Sequence, residues 1–576
     1  MSSSLMSGAQ ILLECLGREQ VDCMFGYPGG VTLPLYDAMY DHPLRHVLVR
    51  HEQNAAFAAS GYARVTGKVG VCCATSGPGA TNLVTGLVDS MMDSIPVVAI
   101  TGQVTSKLIG SDAFQEADTF GITRACTKHN FMVRNVNELP QIVHEAFYIA
   151  ASGRPGPVLV DIPKDVFQAQ AHYAPVTSIH LPGYKVYTEG HTGQIRRAAQ
   201  MMWDAERPFV YAGGGIVAAD ASAELRELVE TLDCPAVCTL MGLGALPGNH
   251  PNFISLPGMH GSYAANMGMT NADLLIALGT RFDDRVTGRL AAFAPHAKVI
   301  HVDIDPAEIG KIRTAELPIV GDVKRVLGKM NKFLVELREE NAAKNAGARH
   351  SWRSQIAEWK REHPFVAATA SDKIMPQHLV AEIDRLSGGE AIVTSDVGQH
   401  QMWAAQYIKF NHPRLWVNSG GLGAMGFGLP AALGAQFARP DKLVFAICGD
   451  GGFQMSLPEL ATLVNYSLPV KIIVMNNGHL GMIRQWQELF YNNRISSAEL
   501  TAFPDVTKLA GAYGFTGRTI DKPEDLRGAL SDAVREPGPY LLNVKVAQFE
   551  NVYPMVPAGG ALNEMVLGPP QPVAAD

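Results

Sequence analysis

The stretch Leu443–His479, LVFAICGDGGFQMSLPELATLVNYSLPVKIIVMNNGH, decides the fold that the sequence predicts. Residues 443–448 and 470–475 are short continuous apolar runs, which are typical of strands buried on both faces. Between these runs lie apolar residues at helical spacing, namely Leu457, Leu460, Leu463 and Val464. The pattern predicts a strand–helix–strand unit with parallel strands and a right-handed connection.

Polar residues follow both predicted strands. Asp450 lies between two glycines directly after the first strand, and Asn477 follows the second. The glycines would permit a tight turn and the close approach of another group. Because parallel strands end at the same edge of a sheet, we expect the two side chains to converge there. Either motif alone is usually only a turn, but the pair predicts a site for Mg²⁺, which prefers oxygen ligands.

Gly-Asp-Gly followed one strand later by Asn-Asn resembles the motif of thiamine diphosphate enzymes. The resemblance implies that Asp450, the Asn477 side chain and the His479 carbonyl hold Mg²⁺ against the diphosphate of the cofactor. It also places three glycines beside that diphosphate: Gly449, Gly451 and Gly452.

The composition is that of an ordinary globular protein, with 576 residues, 47% hydrophobic and 18% charged. The net charge is −8 and the sequence contains no basic stripe, which argues against nucleic acid as the main partner. We expect no membrane span, because no apolar run is long enough, and no signal or transit peptide. The eight cysteines include no CxxC pair and are expected to be free thiols, so we predict a cytoplasmic protein.

Strand-like runs alternate with helical patterns along most of the chain, which predicts α/β domains with doubly wound parallel sheets. We expect three such domains, at 1–168, 190–340 and 373–550. The charged segment 338–372 is predicted to be a connecting helix with flexible flanks. The tail 551–576 has little core-forming pattern and is expected to be a disordered end or an active-site lid.

Two further segments have both a structural and a functional interpretation. Glu52 opens an alanine-rich helix, where the helix dipole alone would favour a carboxylate. The glycine-rich segment 418–436 surrounds Met425, and methionine is more often core filler than a functional residue. In thiamine enzymes a buried glutamate exchanges a proton with the aminopyrimidine ring, and the resemblance implies this role for Glu52. It also implies that the Gly423 carbonyl accepts from the cofactor's amino group and that Met425 wedges its two rings into a V.

The chain as a whole closely resembles the catalytic large subunits of the acetohydroxyacid synthase (acetolactate synthase) family. This resemblance covers nearly the full length and implies three domains, which bind the pyrimidine, FAD and the diphosphate in that order. The matching motifs are GYPGG (26–30), which ends in the cofactor contact Gly30, HEQNAAFAASGYAR (51–64), TSGPGATN (75–82), DAFQE (112–116), TKHN (127–130), GRPGPVLVDIPKDV (153–166), GMHG (258–261), GTRFDDRVTG (279–288), GGLGAMGFGLPAALGAQ (420–436) and GMIRQWQELF (481–490).

The resemblance also implies roles in substrate and flavin binding. Arg285 would bind the carboxylate of the second 2-oxo acid, for which a bidentate guanidinium is suited, although a loop of paired charges is usually only solvated. Trp486 would favour 2-oxobutyrate over pyruvate as the acceptor. The substrate approach would be lined by Phe114, Gln115 and Lys164. FAD would contact Arg154, Gly213, Gly214, Met259, His260, Arg281, Asp303 and Asp322.

The residues alone give partial support to a nucleotide site. Gly213–Gly215 after an apolar run resembles a phosphate turn, and Asp303 after another run is placed to meet a ribose hydroxyl.

The implied enzyme uses thiamine diphosphate, Mg²⁺ and FAD, although FAD does no net redox in this family. It decarboxylates pyruvate and transfers the hydroxyethyl unit to a second pyruvate, giving 2-acetolactate, or to 2-oxobutyrate, giving 2-aceto-2-hydroxybutyrate, in branched-chain amino-acid synthesis. The resemblance further implies a site shared between two chains, a homodimer or tetramer, and a separate regulatory small subunit.

Four alternatives are open. Pyruvate oxidase and the flavin-free catabolic acetolactate synthase are disfavoured by RFDDRVTG together with RQWQ. Glyoxylate carboligase lacks the glutamate that Glu52 supplies here. A non-catalytic nucleotide-binding subunit would have no chemical need for Glu52, Asp450 and Asn477.

Overall fold

The computed structural model describes residues 5–342, 344–367 and 372–569 of the chain. Three parallel β-sheets succeed one another along the sequence, and strands alternate with helices in each. This confirms the predicted α/β class with three parallel-sheet domains, whereas the domain boundaries given above stay predictions. Among the described residues, no helix combines the length and the apolarity needed to cross a membrane.

The first sheet is built by the N-terminal part of the chain. The elements of this part are β1 (Leu5–Ser7), α1 (Gly8–Arg18), β2 (Cys23–Gly26), α2 (Leu33–Met39), β3 (Arg45–Leu48), α3 (Glu52–Thr66), β4 (Gly70–Ala74), α4 (Pro78–Asn82), α5 (Val84–Asp93), β5 (Val97–Gln103), α6 (Thr119–Thr123), β6 (His129–Met132), α7 (Leu139–Ala151), β7 (Val158–Pro163), α8 (Lys164–Gln168) and β8 (Gln170–His172). Strands β1 and β8 pair with each other, antiparallel, outside the main sheet. Six strands lie in the order β3-β2-β4-β5-β7-β6, all parallel. Because alternate strand residues point to opposite faces, Cys73 enters one apolar core and Cys72 another, so that both faces are covered.

The middle sheet follows the same plan. Its elements are α9 (Thr192–Asp204), β9 (Pro208–Ala212), α10 (Gly214–Ala218), α11 (Ser222–Leu232), β10 (Ala236–Cys238), α12 (Tyr263–Asn271), β11 (Leu274–Leu278), α13 (Asp284–Thr287), β12 (Lys298–Asp303), β13 (Leu317–Val320) and α14 (Val323–Glu340). The strands lie in the order β10-β9-β11-β12-β13, all parallel. The predicted connecting helix is α15 (Ala346–Glu362), which buries Trp352 and Ile356 in the middle-domain core. Residues 368–371 of its predicted flank lie outside the described residues.

The third sheet contains the stretch that decided the prediction. Its elements are α16 (Pro376–Ser387), β14 (Ile392–Ser395), α17 (Gln399–Tyr407), β15 (Trp416–Asn418), α18 (Gly428–Ala438), β16 (Val444–Gly449), α19 (Asp450–Ser456), α20 (Leu460–Asn465), β17 (Lys471–Asn476), α21 (Gly481–Phe490), α22 (Val506–Ala512), β18 (Thr516–Ile520), α23 (Pro523–Arg535) and β19 (Tyr540–Lys545). The strands lie in the order β15-β14-β16-β17-β19-β18, and all are parallel. The predicted strands match β16 and β17 to within one residue, and the two are neighbours.

The tail packs against the middle domain. Val556 and Leu562 are buried in the middle-domain core, and the Val556 N–H donates to the Met259 carbonyl at 2.8 Å. The expectation of a disordered end is therefore wrong for residues 551–569, because a few apolar side chains without regular spacing suffice to dock the segment, whereas the alternative of an active-site lid stays a prediction. Residues 570–576 of the predicted tail lie outside the described residues.

Helices α3 and α18 cross in direct backbone contact and join the first domain to the third. A methyl group added at Gly434 would overlap the carbonyl of Ala58, and one added at Gly61 would overlap the backbone of Ala431. Glycine is thus needed on both helices for this close approach. Helix α3 ends at Gly67, whose φ of 73° is the left-handed conformation that closes many helices.

Replacing Gly434 by alanine should destabilise the protein by about 1–3 kcal/mol, since overpacked sites force neighbouring backbone to shift. Thermal unfolding followed by circular dichroism should show a transition lowered by several degrees.

Gly528→Ala is the matched control, because Gly528 lies in α23 of the same domain with open space around an added methyl. Its transition should stay unchanged or rise, because alanine reduces the freedom of the unfolded chain. Equal transitions for the two variants would contradict the close crossing.

Candidate active site

A cavity of about 970 Å³ lies where the three domains meet. This volume is at the upper end of the range for sites that enclose a whole ligand. From the third domain its lining includes Gly423, Met425, Gly449, Asp450, Gly451, Gly452, Asn477, His479 and Trp486. From the middle domain it includes Gly213, Gly214, Met259, His260, Arg281, Arg285, Asp303 and Asp322, and from the first domain Arg154. Most of the predicted site residues therefore share one cavity.

Asp450 joins the ends of two neighbouring strands. Its Oδ1 accepts from the Gly451 N–H at 2.9 Å, and its Oδ2 accepts from the Gly478 N–H at 2.7 Å. The Asn477 Oδ1 accepts from the His479 N–H at 3.0 Å, which closes the loop after β17. Burial raises the pKa of Asp450 to about 6 against the opposing effect of these N–H donors. A cation at this edge would favour the charged carboxylate.

The glycines around Asp450 do not form the predicted tight turn. Gly449 is extended, with φ −79° and ψ 161°, and α19 begins directly at Asp450. What these positions require is close approach. A methyl group at Gly449 would lie 2.9 Å from the His400 ring, and one at Gly452 would lie 2.6 Å from the Asp396 carboxyl carbon. Only glycine leaves room for these neighbours.

The sequence prediction missed Asp396 and His400. Both are buried at the carboxyl end of β14, and His400, with Gln399, lines the cavity at the start of α17. Among the residues that the structure describes, none is a hydrogen-bond partner of the His400 Nε2, and burial lowers the pKa of His400 to about 4. The signal was present, because SDVGQH (395–400) follows an apolar run as GDGG does. The start of a helix with an unpaired imidazole nitrogen beside it is suited to bind phosphate.

The glycine-rich loop before α18 presents Met425 to the cavity. Gly423 and Gly426 both have positive φ, 70° and 85°, which favours glycine at each position. The Gly426 N–H donates to both oxygens of the Asp396 carboxylate, at 2.9 and 3.1 Å. A methyl group at Gly451 would lie 3.3 Å from the Met425 Cε, so this side chain packs over the start of α19.

The middle domain supplies the other half of the cavity. A methyl group at Gly213 would overlap the carbonyl oxygen of Gly279, so β9 and β11 leave their sheet in close contact. Asp303 ends β12, and its Oδ1 accepts from the Asp305 N–H at 2.9 Å. Burial raises the pKa of Asp303 to about 6. Its carboxylate is placed to accept a hydrogen bond from a ligand hydroxyl in the cavity.

Several residues predicted to contact FAD also have structural partners. Arg154 Nη1 donates to Glu308 at 2.7 Å, and Asp322 caps the start of α14. The His260 Nδ1 lies 3.2 Å from the Pro554 carbonyl oxygen, and burial lowers the pKa of His260 to about 4. These contacts fix the wall of the cavity independently of any ligand.

Arg285 and Trp486 lie nearer the solvent. The Arg285 side chain is 63% exposed, and its Nη1 is 3.2 Å from Asp284. Trp486 is partly buried on α21, with its ring 5.3 Å from that of Phe490. A guanidinium whose ion-pair partner is exposed to solvent can release that partner and bind a substrate carboxylate instead.

The remaining predicted residues lie outside the described lining of this cavity. All of them follow strands of the first sheet, at its carboxyl edge. Gly30 follows β2, Glu52 follows β3, Phe114 and Gln115 follow β5, and Lys164 follows β7. The Glu52 Oε2 accepts from Asn82 Nδ2 at 2.9 Å, and the Phe114 side chain is 88% exposed. The structure thus divides the predicted residues between two regions of one chain.

Comparison with known protein families agrees with this architecture. Residues 6–122 match the N-terminal TPP binding domain of thiamine pyrophosphate enzymes, residues 195–330 match their central domain, and residues 396–544 match their C-terminal TPP binding domain.

Individual relatives are similar over almost their whole length. The chain is 48% identical to the acetolactate synthase isozyme 2 large subunit of Escherichia coli (strain K12) over 562 residues, which cover 97% of this chain and 99% of the relative. It is 50% identical to the acetolactate synthase large subunit of Mycobacterium tuberculosis (strain CDC 1551 / Oshkosh), over 97% of this chain and 91% of the relative. It is 47% identical to acetolactate synthase 3, chloroplastic, of Brassica napus, over 97% and 86%. The chain belongs to the acetolactate synthase large-subunit family of thiamine pyrophosphate enzymes.

Proposed function

We propose that the chain is the catalytic subunit of an acetohydroxyacid synthase, which condenses pyruvate with a second pyruvate or with 2-oxobutyrate. The observation that carries this proposal is the single cavity that brings Asp450, Asn477 and His479 together with Arg285 and Trp486. A diphosphate clamp alone fits any thiamine enzyme. A guanidinium and a large aromatic side chain on the same cavity suit the binding of a second 2-oxo acid.

The third-domain end of the cavity fits thiamine diphosphate with Mg²⁺. The start of α17 offers backbone N–H groups to a diphosphate, whose negative charge would favour a protonated His400 with its Nε2 as a further donor. Asp450, the Asn477 side chain and the His479 carbonyl would hold the cation, which offsets the negative charge of both carboxylate and diphosphate. When bound, thiamine diphosphate supplies the carbon nucleophile and the electron sink for decarboxylation.

The middle-domain end fits FAD as a structural cofactor. Gly213 and Gly214 line the cavity at the start of α10, where they would meet a phosphate group, and Asp303 would accept from a ribose hydroxyl. Arg154 and Arg281 supply positive charge beside them. Bound flavin in the purified protein would separate this enzyme from the flavin-free catabolic type.

Arg285 and Trp486 would choose and orient the acceptor. Arg285 would give up its exposed contact with Asp284 and bind the acceptor carboxylate with two parallel hydrogen bonds. Trp486 would form an apolar slot for the extra methyl group of 2-oxobutyrate. Met425 would hold the reactive part of the cofactor in place between them.

The position of Glu52 supports a site shared between two chains. Glu52 lies at the first-sheet edge with Gly30, Gln115 and Lys164, outside the described lining of the cavity. A second copy of the chain would supply this edge to the cavity, which requires at least a homodimer and allows a tetramer. The Escherichia coli relatives are named as large subunits, which supports a separate regulatory small subunit for this chain as well.

We place the enzyme in the cytoplasm, in agreement with the state of its cysteines. All eight are free and buried, and burial raises the pKa of Cys23 to about 12. Such thiols suit a reducing compartment.

The deciding experiment is incubation with pyruvate, thiamine diphosphate, Mg²⁺ and FAD, with and without 2-oxobutyrate, followed by product identification. Acetohydroxy acids of both kinds support the proposal. Oxygen-dependent formation of acetyl phosphate from pyruvate would indicate a pyruvate oxidase, condensation of glyoxylate a glyoxylate carboligase, and no product a non-catalytic subunit.

Glu52→Gln should lower the rate of acetolactate formation by about 10²–10⁴-fold, the usual contribution of a positioned acid–base group. Calorimetric titration should still detect thiamine diphosphate and Mg²⁺, because Glu52 is not a diphosphate or metal ligand. Glu524→Gln is the control, since Glu524 also lies in the first turn of a helix, α23, but far from the cavity lining. Full activity of Glu52→Gln would disprove its assignment.

Asp450→Asn should weaken Mg²⁺ binding by at least about 10-fold, because the amide offers no charge to the cation. The measurement is calorimetric titration of Mg²⁺ into protein saturated with thiamine diphosphate. Asp384→Asn removes a carboxylate that holds the Lys409 N–H elsewhere in the third domain, and it should leave Mg²⁺ binding unchanged. Equal Mg²⁺ affinity in both variants would reject the metal site.

Trp486→Leu should lower the preference for 2-oxobutyrate over pyruvate by about 10-fold, the lower range for recognition of one methyl group. The product ratio is measured in competition between the two acceptors. Tyr491→Leu replaces an exposed aromatic residue next to the end of the same helix and outside the cavity lining, and its ratio should match wild type. An unchanged ratio in Trp486→Leu would contradict the slot.

A further inference from the structure

A buried ion network lies at the end of α3 opposite to Glu52. Arg64 Nη2 donates to the Asp89 Oδ2 at 3.1 Å and to the Asp93 Oδ2 at 2.8 Å, and its Nε donates to Ser60 Oγ at 3.1 Å. The Arg64 side chain is 5% exposed and both carboxylates are 0% exposed. One guanidinium therefore faces two carboxylates, and all three groups are almost fully shielded from bulk solvent.

The two carboxylates reach across the domain boundary to the glycine-rich loop. The Gly420 N–H donates to the Asp93 Oδ2 at 3.0 Å, and the Gly421 N–H donates to its Oδ1 at 2.7 Å. Ser419 Oγ donates to Asp89 and in turn accepts from the Ala424 N–H, the latter at 2.9 Å. Carboxylates of the first domain thus accept hydrogen bonds from the glycine-rich loop of the third domain.

The held segment is the one that presents Gly423 and Met425 to the cavity. Asp93 fixes its start at Gly421, and Asp396 fixes its end at Gly426. Only residues 422–425 lie between these two carboxylate anchors. A glycine-rich backbone has more freedom than any other, so its conformation depends on external partners.

We propose that Arg64, Asp89 and Asp93 form a positioning network that fixes the loop Gly420–Met425 from the neighbouring domain. The network sets the places of the Gly423 carbonyl and the Met425 side chain at the cavity. The kinetic part of this inference rests on the proposed function, whereas the order of the loop does not.

The charged groups of the network are suited to orient the loop. Apolar side chains would stabilise a domain contact at least as well, because buried charges lose hydration. Burial raises the pKa of Asp89 to about 7, against the opposing effect of Arg64. What the carboxylates add is direction, since three of their four oxygens accept from a particular loop group: Asp89 Oδ1 from Ser419, Asp93 Oδ2 from Gly420 and Asp93 Oδ1 from Gly421.

Hydrogen–deuterium exchange on the protein without cofactor tests the order of the loop. In Asp93→Asn the amide offers one acceptor oxygen where the carboxylate offers two, so Gly420 and Gly421 compete for it. Exchange in peptides that cover 419–428 should accelerate by about 10-fold or more, as expected for loss of a hydrogen bond to a charged group. Asp384→Asn weakens the acceptor of a single backbone N–H, that of Lys409, elsewhere in the domain and should leave these peptides unchanged.

Steady-state kinetics tests what the order of the loop does. In Asp93→Asn we expect kcat for acetolactate formation to fall by about 10-fold or more, with little change in KM for pyruvate and a raised half-saturation concentration of thiamine diphosphate. Ser419→Ala removes only the bridging hydroxyl and should change exchange and kcat in the same direction by less. It decides the question if Asp93→Asn does not fold.

The outcomes separate the two proposals. Wild-type protein that makes no acetohydroxy acid overturns the proposed function and leaves the exchange result to decide the network. Active wild type with unchanged exchange and kcat in Asp93→Asn, or in Ser419→Ala where the first does not fold, overturns the network. An equal loss of kcat in Asp384→Asn also overturns it, because general destabilisation would then be the cause.

Discussion

The contact of α3 with α18 without intervening side chains is the constraint on which the rest of the structure depends. Gly61 and Gly434 let the two backbones meet, so the position of the first domain on the third is set by main-chain atoms. Helix α3 ends at this contact with Arg64 against the glycine-rich loop and begins with Glu52 at the opposite end. Helix α3 therefore connects Glu52, which is proposed to serve the active site of the partner subunit, with the glycine-rich loop at the cavity of its own chain.

The cavity combines ionisable groups that the protein holds in uncharged or easily neutralised form. Burial raises the pKa of Asp450 and Asp303 to about 6 and lowers the pKa of His260 and His400 to about 4. Such groups gain from a ligand that brings compensating charge or hydrogen bonds. A dinucleotide at one end and a diphosphate with its cation at the other would meet that need along the whole cavity.

The sequence predicted the features that adjacent residues determine. Apolar runs of strand length and the residues directly after them located Asp450 and Asn477, because parallel strands end at one edge. Asp396 also follows an apolar run, but its role could not be predicted, since its partner Gly426 is distant in sequence. For the glycines around Asp450 the close approach of another group was predicted but the identity of that group was not, because the side chains next to Gly449 and Gly452 come from another strand end. The roles of the individual site residues rest on the family resemblance, and the proposed substitutions test them.

The docking of the tail has a consequence for how the chain folds. The middle-domain core contains Val556 and Leu562, which the ribosome adds more than two hundred residues after β13 (Leu317–Val320). Domains usually fold in the order of their synthesis, but this one lacks part of its interior until residues 556–562 have been added. The middle domain therefore exposes apolar surface on the growing chain while the whole third domain is being synthesised.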